Sequence, residues 1–441
     1  MTAEIAIMNK EAIALAADSA VTMGQEGEWE QKVFASANKL FMLSKYYSVG
    51  IMVYGSASFM GLPWETIIKI YRSKLGKQKL DTLKEYADNF IAFLNNGNPL
   101  FLGEQQKEYL YETTLSYFAL ISDDIREKVK SIIDKEGEIT NTQVKQITTN
   151  VIREHHNKLG KTKMLPSIPE THIEDIIKKY CDTIDKARKE IFEKLPISAT
   201  SVNQLREISA SLFSKDIFPA NISGVVIAGF GEKEPFPSLK SFDVEGIVNN
   251  RLKYKERYSD SARERAAIIP FAQREMVDTF MEGIAPNVRD YVEENLSGLL
   301  NKYAEIVVES FEKFDDEEKA DTLKKLKQAN NKISKDYQQR LRNYIRANYV
   351  DPVMDVVVAG LPKDELATMA EALVNLTSFR RKVTMGTETV AGPIDVAVIS
   401  KGDGFIWIKR KHYFKSELNP QFFAKYYKEA ENERKGERTK R

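Results

Sequence analysis

The alternation of apolar and polar positions changes period several times along the chain, and each change predicts a different element. Residues 2 to 55 read as strands. Two short apolar runs, Ala3 to Met8 and Ala12 to Ala17, meet at Asn9-Lys10. Glu4 between Ala3 and Ile5, and the alternation from Lys45 to Tyr54, suit half-buried strands facing a helical layer. Gly24, Gln25 and Gly27 with Trp29 mark an exposed loop. From Leu62 the period becomes helical, with Pro63 at the start and then Trp64, Ile67, Ile68, Tyr71 and Leu75 on one stripe.

Helical patterning continues through 82–95, 105–134, 141–157 and 171–194, broken by the Asn95-to-Pro99 stretch, by Gly137 and by the Gly160-to-Pro169 loop. Thr171 with Glu174 has the spacing of a capping box. Strand signals return at Ser223 to Phe230 and Ser238 to Asp243, with a third strand at Ala266 to Phe271 before a helix from Gln273 to Met281. A second helical stretch runs from Val288 to about Tyr349, and its charged run Glu312 to Lys327 predicts a solvated helix face. Asp355 to Val358 reads as an apolar turn or strand end, and Lys363 to Phe379 as an amphipathic helix. Ile394 to Ile399 and Phe405 to Ile408, joined by Lys401-Gly402-Asp403-Gly404, form a closing hairpin. The tail, from about Lys428 to Arg441, is highly charged and poor in apolar residues, a composition expected to be disordered.

Composition narrows the function classes. With 42% hydrophobic and 29% charged residues and a formal net charge of +1, the 441-residue chain is expected to be soluble and globular. That length suits two or three domains, or one domain with large insertions. The near-zero net charge argues against a general nucleic-acid binder. A single cysteine, Cys181, excludes an intrachain disulfide framework and fits a reducing compartment. No apolar run approaches the roughly 18 residues of a membrane span. The segment Ile5 to Ala20 has no basic stretch before it and is cut by Asn9, Lys10 and Glu11, so it is not read as a secretory signal. A cytoplasmic location is expected.

Chemistry concentrates at the N-terminus. A small residue after the initiator Met1 is what a methionine aminopeptidase exposes, and removal of Met1 would make Thr2 the first residue. A free N-terminal threonine holds a hydroxyl and an amine on one residue. The amine's unperturbed pKa of about 8 lets it take the hydroxyl's proton. Behind Thr2 come Asp18 at the end of the second apolar run, then Asn38-Lys39-Leu40-Phe41, then a strand closing on Gly55.

This order resembles the proteasome β-type subunits, including the bacterial ATP-dependent peptidase, among the N-terminal nucleophile hydrolases. That family reads Thr, a hairpin ending in Ala-Ala-Asp, a Lys-Leu/Ile-Phe strand and a strand closing on glycine; Thr2, Asp18, Lys39 and Gly55 fall on those positions. The Thr-to-Asp spacing matches, and a few extra residues lie around Gln25 to Gln31. The resemblance covers about 1–75, 222–283 and 355–410.

The resemblance implies an α+β fold, a four-layer αββα sandwich with an inserted helical subdomain. Its core would comprise 1–77, 219–287 and 350–415, the inserted subdomain 78–218 and a second helical insertion 288–349, with a charged tail at 416–441. It implies that Thr2 Oγ attacks a carbonyl carbon while its own amine takes the proton. Lys39 would keep that amine neutral by its charge, Asp18 would hold Lys39, and the Gly55 N–H would stabilise the oxyanion. The other reading makes Thr2 an ordinary terminal residue and Asp18–Lys39 a structural ion pair.

Two positions depart from the family. Its Gly-Ser-Gly turn, whose serine tunes the amine, is replaced here by Ile269-Pro270-Phe271-Ala272-Gln273. Its Asp and Ser before the closing strand correspond to Thr387 to Pro393, where Glu388 and Thr389 are alternatives.

The resemblance implies a peptide or protein substrate, homo-oligomeric rings and an ATP-driven unfoldase partner; from composition and motifs, no cofactor, metal, membrane or nucleic acid is expected. The helical additions would cap the site, block stacking or form a new interface. A catalytically inactive scaffold whose helices bind a partner or ligand is the alternative function. His155 and His156 are adjacent on a helix and face different ways, which disfavours a shared metal; both read as surface residues. His172 and His412 stand alone, Cys181 reads as buried or incidental, and Lys409-Arg410-Lys411-His412 as a solvated strand end.

Overall fold

The computed structural model describes residues 3–23, 32–34, 36–95, 97–219, 222–383, 392–421 and 424. The expected loop around Gly24 to Trp29 and the charged tail from Lys428 lie outside these residues, as do Thr387, Glu388 and Thr389.

The chain is mixed α+β with antiparallel sheets. Strands β1 (Glu4–Met8), β2 (Ala12–Ala17), β3 (Val21–Met23), β4 (Lys32–Phe34), β5 (Leu40–Met42), β6 (Val49–Gly55), β7 (Ser58–Phe59) and β8 (Leu62–Pro63) lead into helices α1 (Trp64–Leu75) and α2 (Leu83–Asn95). Helices α3 (Gly103–Glu136), α4 (Asn141–Gly160), α5 (His172–Phe192) and α6 (Ala199–Leu212) follow. Strands β9 (Ser223–Gly229), β10 (Ser238–Val248), β11 (Arg251–Ser261) and β12 (Ala267–Ala272) come next. Helices α7 (Arg274–Glu282), α8 (Pro286–Glu309), α9 (Asp316–Ile345) and α10 (Lys363–Val383) precede β13 (Asp395–Ser400) and β14 (Gly404–Lys409).

Two five-stranded sheets form the centre, in the orders β12-β1-β2-β13-β14 and β11-β10-β9-β6-β5. The near-continuous apolar sequences of β1 and β2 follow from burial on both faces. One face, with Ala6, Met8, Ile13 and Leu15, packs against Met52, Val226, Ala228 and Leu239 of the second sheet. The other, with Ile5, Ile7, Ala14 and Ala16, packs on α7 and α10 through Val277, Leu366, Ala370 and Leu373. The outer face of the second sheet, with Ile51, Val53, Val225 and Ile227, meets α1 and α2. All five stripe residues of α1 are buried there. The β1–β2 turn is held by Asn9, whose side-chain oxygen accepts from the Glu11 and Ala12 N–H groups. Its amide donates to the carbonyls of Val358 and Leu361, tying the hairpin to the segment before α10.

Several expectations need correction. Helix α2, assigned by sequence to the inserted subdomain, buries Tyr86, Phe90 and Leu94 in the sheet core beside α1. The separate helical core starts at α3 and unites α3 to α6 through Phe118, Ile152, Ile184 and Leu205. Strand β11 was not anticipated, because Arg251-Leu-Lys-Tyr-Lys-Glu-Arg is polar, as suits an edge strand. Its signal was the two-residue turn Asn249-Asn250, with φ of 51° and 57° at both positions, a primed hairpin turn. Asp355 to Val358 is helical rather than a turn or strand end. Thr171 makes no capping box, since its hydroxyl bonds Asp175; the boxes lie at Thr140–Gln143 and Asp315–Glu318.

The helical unit is fastened to the β10–β11 hairpin by buried polar contacts. Lys253 Nζ lies 2.5 Å from Glu245 and donates to the carbonyls of Leu212, at 2.6 Å, and Ile217. His172 sits at the same junction, 3.0 Å from Ser214 Oγ and 3.3 Å from the Val248 carbonyl oxygen. Helices α8 and α9 form an antiparallel hairpin of their own.

Candidate functional site

Asp18 is placed by the end of β2, and its carboxylate gathers the segments around it. Oδ1 accepts from the Ala3 N–H at 3.1 Å and from Lys39 Nζ at 2.6 Å, and Oδ2 accepts from the Ala20 N–H at 3.2 Å. The Asp18 N–H donates in turn to the Ala3 carbonyl oxygen, at 3.1 Å. Residue 3 is thus fixed on both sides of its backbone. Thr2, joined covalently to that Ala3 nitrogen, lies outside the described residues.

Lys39 precedes β5. Its carbonyl accepts from the Val53 N–H at 2.8 Å, which registers it against β6 two residues before Gly55. Gly55 has φ of +78°, and a Cβ there would stand 2.1 Å from the Ile222 carbonyl oxygen. The position therefore requires glycine on both conformational and steric grounds. Of the four sequence-predicted residues, Asp18 and Lys39 are in direct contact and Gly55 closes the strand registered to Lys39.

A carboxylate that the resemblance does not include joins this group. Glu4 lies 3.4 Å from Lys39 Nζ, and the three side chains are 0% (Glu4), 1% (Asp18) and 6% (Lys39) exposed. Two buried carboxylates thus approach one ammonium. The signal was legible in retrospect. Glu4 is the one charged residue in the apolar run Ala3 to Met8, two positions after Thr2, and alternate residues of a strand share a face.

Tyr54 is the second residue missed. Its ring stacks on Phe271 at 5.7 Å, and Gly224 leaves room for it, since a Cβ there would fall 1.9 Å from the ring. Burial pushes its hydroxyl well above the ordinary phenol range. The charges of Asp243 and Glu4 add to this, against Arg257 and Arg274. Tyr54 is therefore a neutral hydroxyl at physiological pH. Asp243 itself is paired with Arg257.

At the end of β12, Ala272 pairs with Glu4, and the next residue is Gln273 in a left-handed conformation, φ 53°. Its side-chain oxygen accepts from Arg381 Nε.

The remaining sequence candidates are structural. His155 reaches Asp124 on α3 and His156 reaches Glu207 on α6, so the two do point apart. His172 is buried, with its two hydrogen-bonding neighbours at the helical junction. Lys411 is not a solvated strand end. Its Nζ lies 2.5 Å from Asp395 and its N–H donates to the same carboxylate at 2.8 Å, with Asp395 buried and Lys411 half-buried. Lys409 pairs with Glu371, and Arg410 lies over the Trp407 ring. Cys181 is half-buried. Among the described residues no group of three His, Cys, Asp or Glu side chains is arranged to hold a metal ion, and no helix is long and apolar enough to cross a membrane.

No protein-family model matches this chain, and no curated protein matches it.

Proposed function

We propose that this chain is a threonine-type N-terminal nucleophile hydrolase, related to proteasome β-type peptidases, on a four-layer αββα sandwich decorated with helices. The observation that carries this reading is the Asp18 carboxylate, which binds the Ala3 N–H and Lys39 Nζ together and so puts an ammonium beside the start of the chain. The helix–sheet–sheet–helix order of the cores supports the sandwich. Removal of Met1 would free the Thr2 amine. Thr2 Oγ would attack the carbonyl carbon of a peptide or other amide, its proton passing to the amine. The Gly55 N–H would meet the developing oxyanion, where the absent Cβ permits close approach. Oligomeric assembly, with an unfoldase delivering protein substrates, belongs to the same proposal.

A non-catalytic scaffold is the second reading. The lack of the family's serine in the stretch Ile269 to Gln273 favours it, as does Glu4, whose charge opposes that of Lys39 at the amine.

Intact-mass measurement with an epoxyketone or β-lactone directed at N-terminal threonine tests the first reading. Loss of Met1 and one adduct, absent in Thr2→Ala, are expected. Retained Met1 in the folded protein would sink the hydrolase reading in favour of the scaffold.

A further inference from the structure

Tyr54, the residue before Gly55, lays its ring across the second sheet. It is the cross-strand partner of Gly224 on β9, and Gly224 is in turn the partner of Asp243 on β10. Directly paired residues share a face of the sheet, and a Cβ at Gly224 would stand within 2.3 Å of three atoms of the Tyr54 ring. The glycine therefore lets the ring lie over β9 on the Asp243 side. Phe271 of the first sheet stacks on it. Arg257 donates to Asp243 and lies 5.8 Å from the ring centre of Phe218, in the segment leading out of the helical unit. Arg274, the first residue of α7, is with Arg257 one of the two cations whose charge reaches the Tyr54 hydroxyl.

Donors here outnumber the carboxylates that could engage them. Asp243 is already held by Arg257, and Glu4 and Asp18 face Lys39. Among the described residues the Tyr54 hydroxyl makes no hydrogen bond, and Arg274 makes no hydrogen bond or ion pair. Asp278, one turn along α7, feels the charge of Arg274 without pairing with it. Arg257 uses Nε on Asp243, and its two terminal nitrogens make no other hydrogen bond to the described residues. A neutral hydroxyl beside two guanidinium groups suits an acceptor-rich anion, and guanidinium matches a carboxylate best. We propose that Tyr54, Arg257 and Arg274 form a subsite for a peptide carboxylate, an acidic side chain or a C-terminus, next to the scissile amide. The subsite rests on the hydrolase reading for its part in a reaction. Successive residues of a peptide are about 3.8 Å apart, so a chain whose carbonyl meets the Gly55 N–H lays a neighbouring residue over Tyr54.

Calorimetric titration of the full chain tests this, with Thr2→Ala used so that no peptide is consumed. The probes are two matched pairs. Acetyl-Ala-Ala-Glu-Ala-Ala-amide is set against its Gln counterpart, and acetyl-Ala-Ala-Ala with a free C-terminus against its C-terminal amide. At least one carboxylate should bind on the order of 10-fold tighter than its uncharged partner, and the pair that shows it names the source. Arg274→Gln should remove the difference, and Tyr54→Phe, which keeps the stacked ring, should reduce it about threefold. Arg274 is exposed, so its replacement leaves the fold intact, with circular dichroism as the check. No carboxylate preference in either pair overturns the proposal, as does a preference that both substitutions leave unchanged. Protection of wild-type Thr2 from the β-lactone by the same peptides separates the subsite from the reading beneath it. A carboxylate preference without any adduct on Thr2 would fail the nucleophile and keep the subsite. An adduct forming equally fast with peptide bound would put the peptide elsewhere and overturn the subsite.

Discussion

Glu4 and Asp18 converge on one cation: the Lys39 ammonium stands 3.4 Å from the first and 2.6 Å from the second, with all three side chains out of water. Removing the cation is therefore costly, because it leaves two like charges buried together. Lys39→Ala is expected to lower unfolding free energy by about 3–5 kcal/mol, and Glu4→Gln in that background to recover part of it. Urea denaturation measures both. A Lys39→Ala protein as stable as the wild type would show that the cluster is solvated.

Under the hydrolase reading, Glu4 offsets the effect of Lys39 on the Thr2 amine. Negative charge stabilises an ammonium, so replacing Glu4 by Gln should move the pH midpoint of probe labelling down by about one unit and speed labelling at pH 7. Labelling in both proteins with the same midpoint would remove Glu4 from the site's electrostatics without touching Thr2. Labelling in neither would instead count against the nucleophile.

Gly55→Ala meets two penalties, a φ of +78° and the Ile222 carbonyl oxygen 2.1 Å from the new Cβ. A loss of about 1–3 kcal/mol is expected, read by thermal unfolding. Gly61, also at positive φ but with nothing within 4 Å, is the control, and Gly61→Ala should cost less.

Stability should also respond to pH through His172. Burial, opposed by the Val248 carbonyl, lowers its folded-state pKa. The folded protein holds the neutral ring while the unfolded chain takes up a proton near pH 6.5. The stabilisation is complete above that value and declines as pH falls from about 6.5 towards the folded-state pKa. The decline in urea midpoint between pH 7.5 and pH 5.5 should be smaller in His172→Asn; an identical decline would assign it to other groups.

The junction between helices and sheet depends on Lys253. Glu245→Leu leaves that ammonium without a carboxylate and is expected to cost about 3–5 kcal/mol, whereas Glu245→Gln, which still accepts a hydrogen bond, should cost less. Chemical denaturation distinguishes them, and equal losses would mean that shape rather than charge matters.

Local pattern by itself determined much of this protein. The continuous apolar runs at Ala3–Met8 and Ala12–Ala17, and the helical stripe from Trp64 to Leu75, were readable because burial on one side or both leaves a direct mark on residue order. Asp18 and Gly55 close patterned strands and Lys39 comes just before one, and their order was read through a family resemblance. Only the tertiary structure decided where amphipathic helices go. The stripe of α2 would suit a helical bundle or a sheet equally, and Tyr86 and Phe90 become sheet core only through contact with distant strands. Strand β11 was hidden because an edge strand needs no apolar alternation, its pairing being made by backbone groups common to all residues. Glu4 and Lys411 are ordinary charges in the sequence and became partners of the buried Lys39 and Asp395 through folding, since desolvation depends on what surrounds a side chain in space.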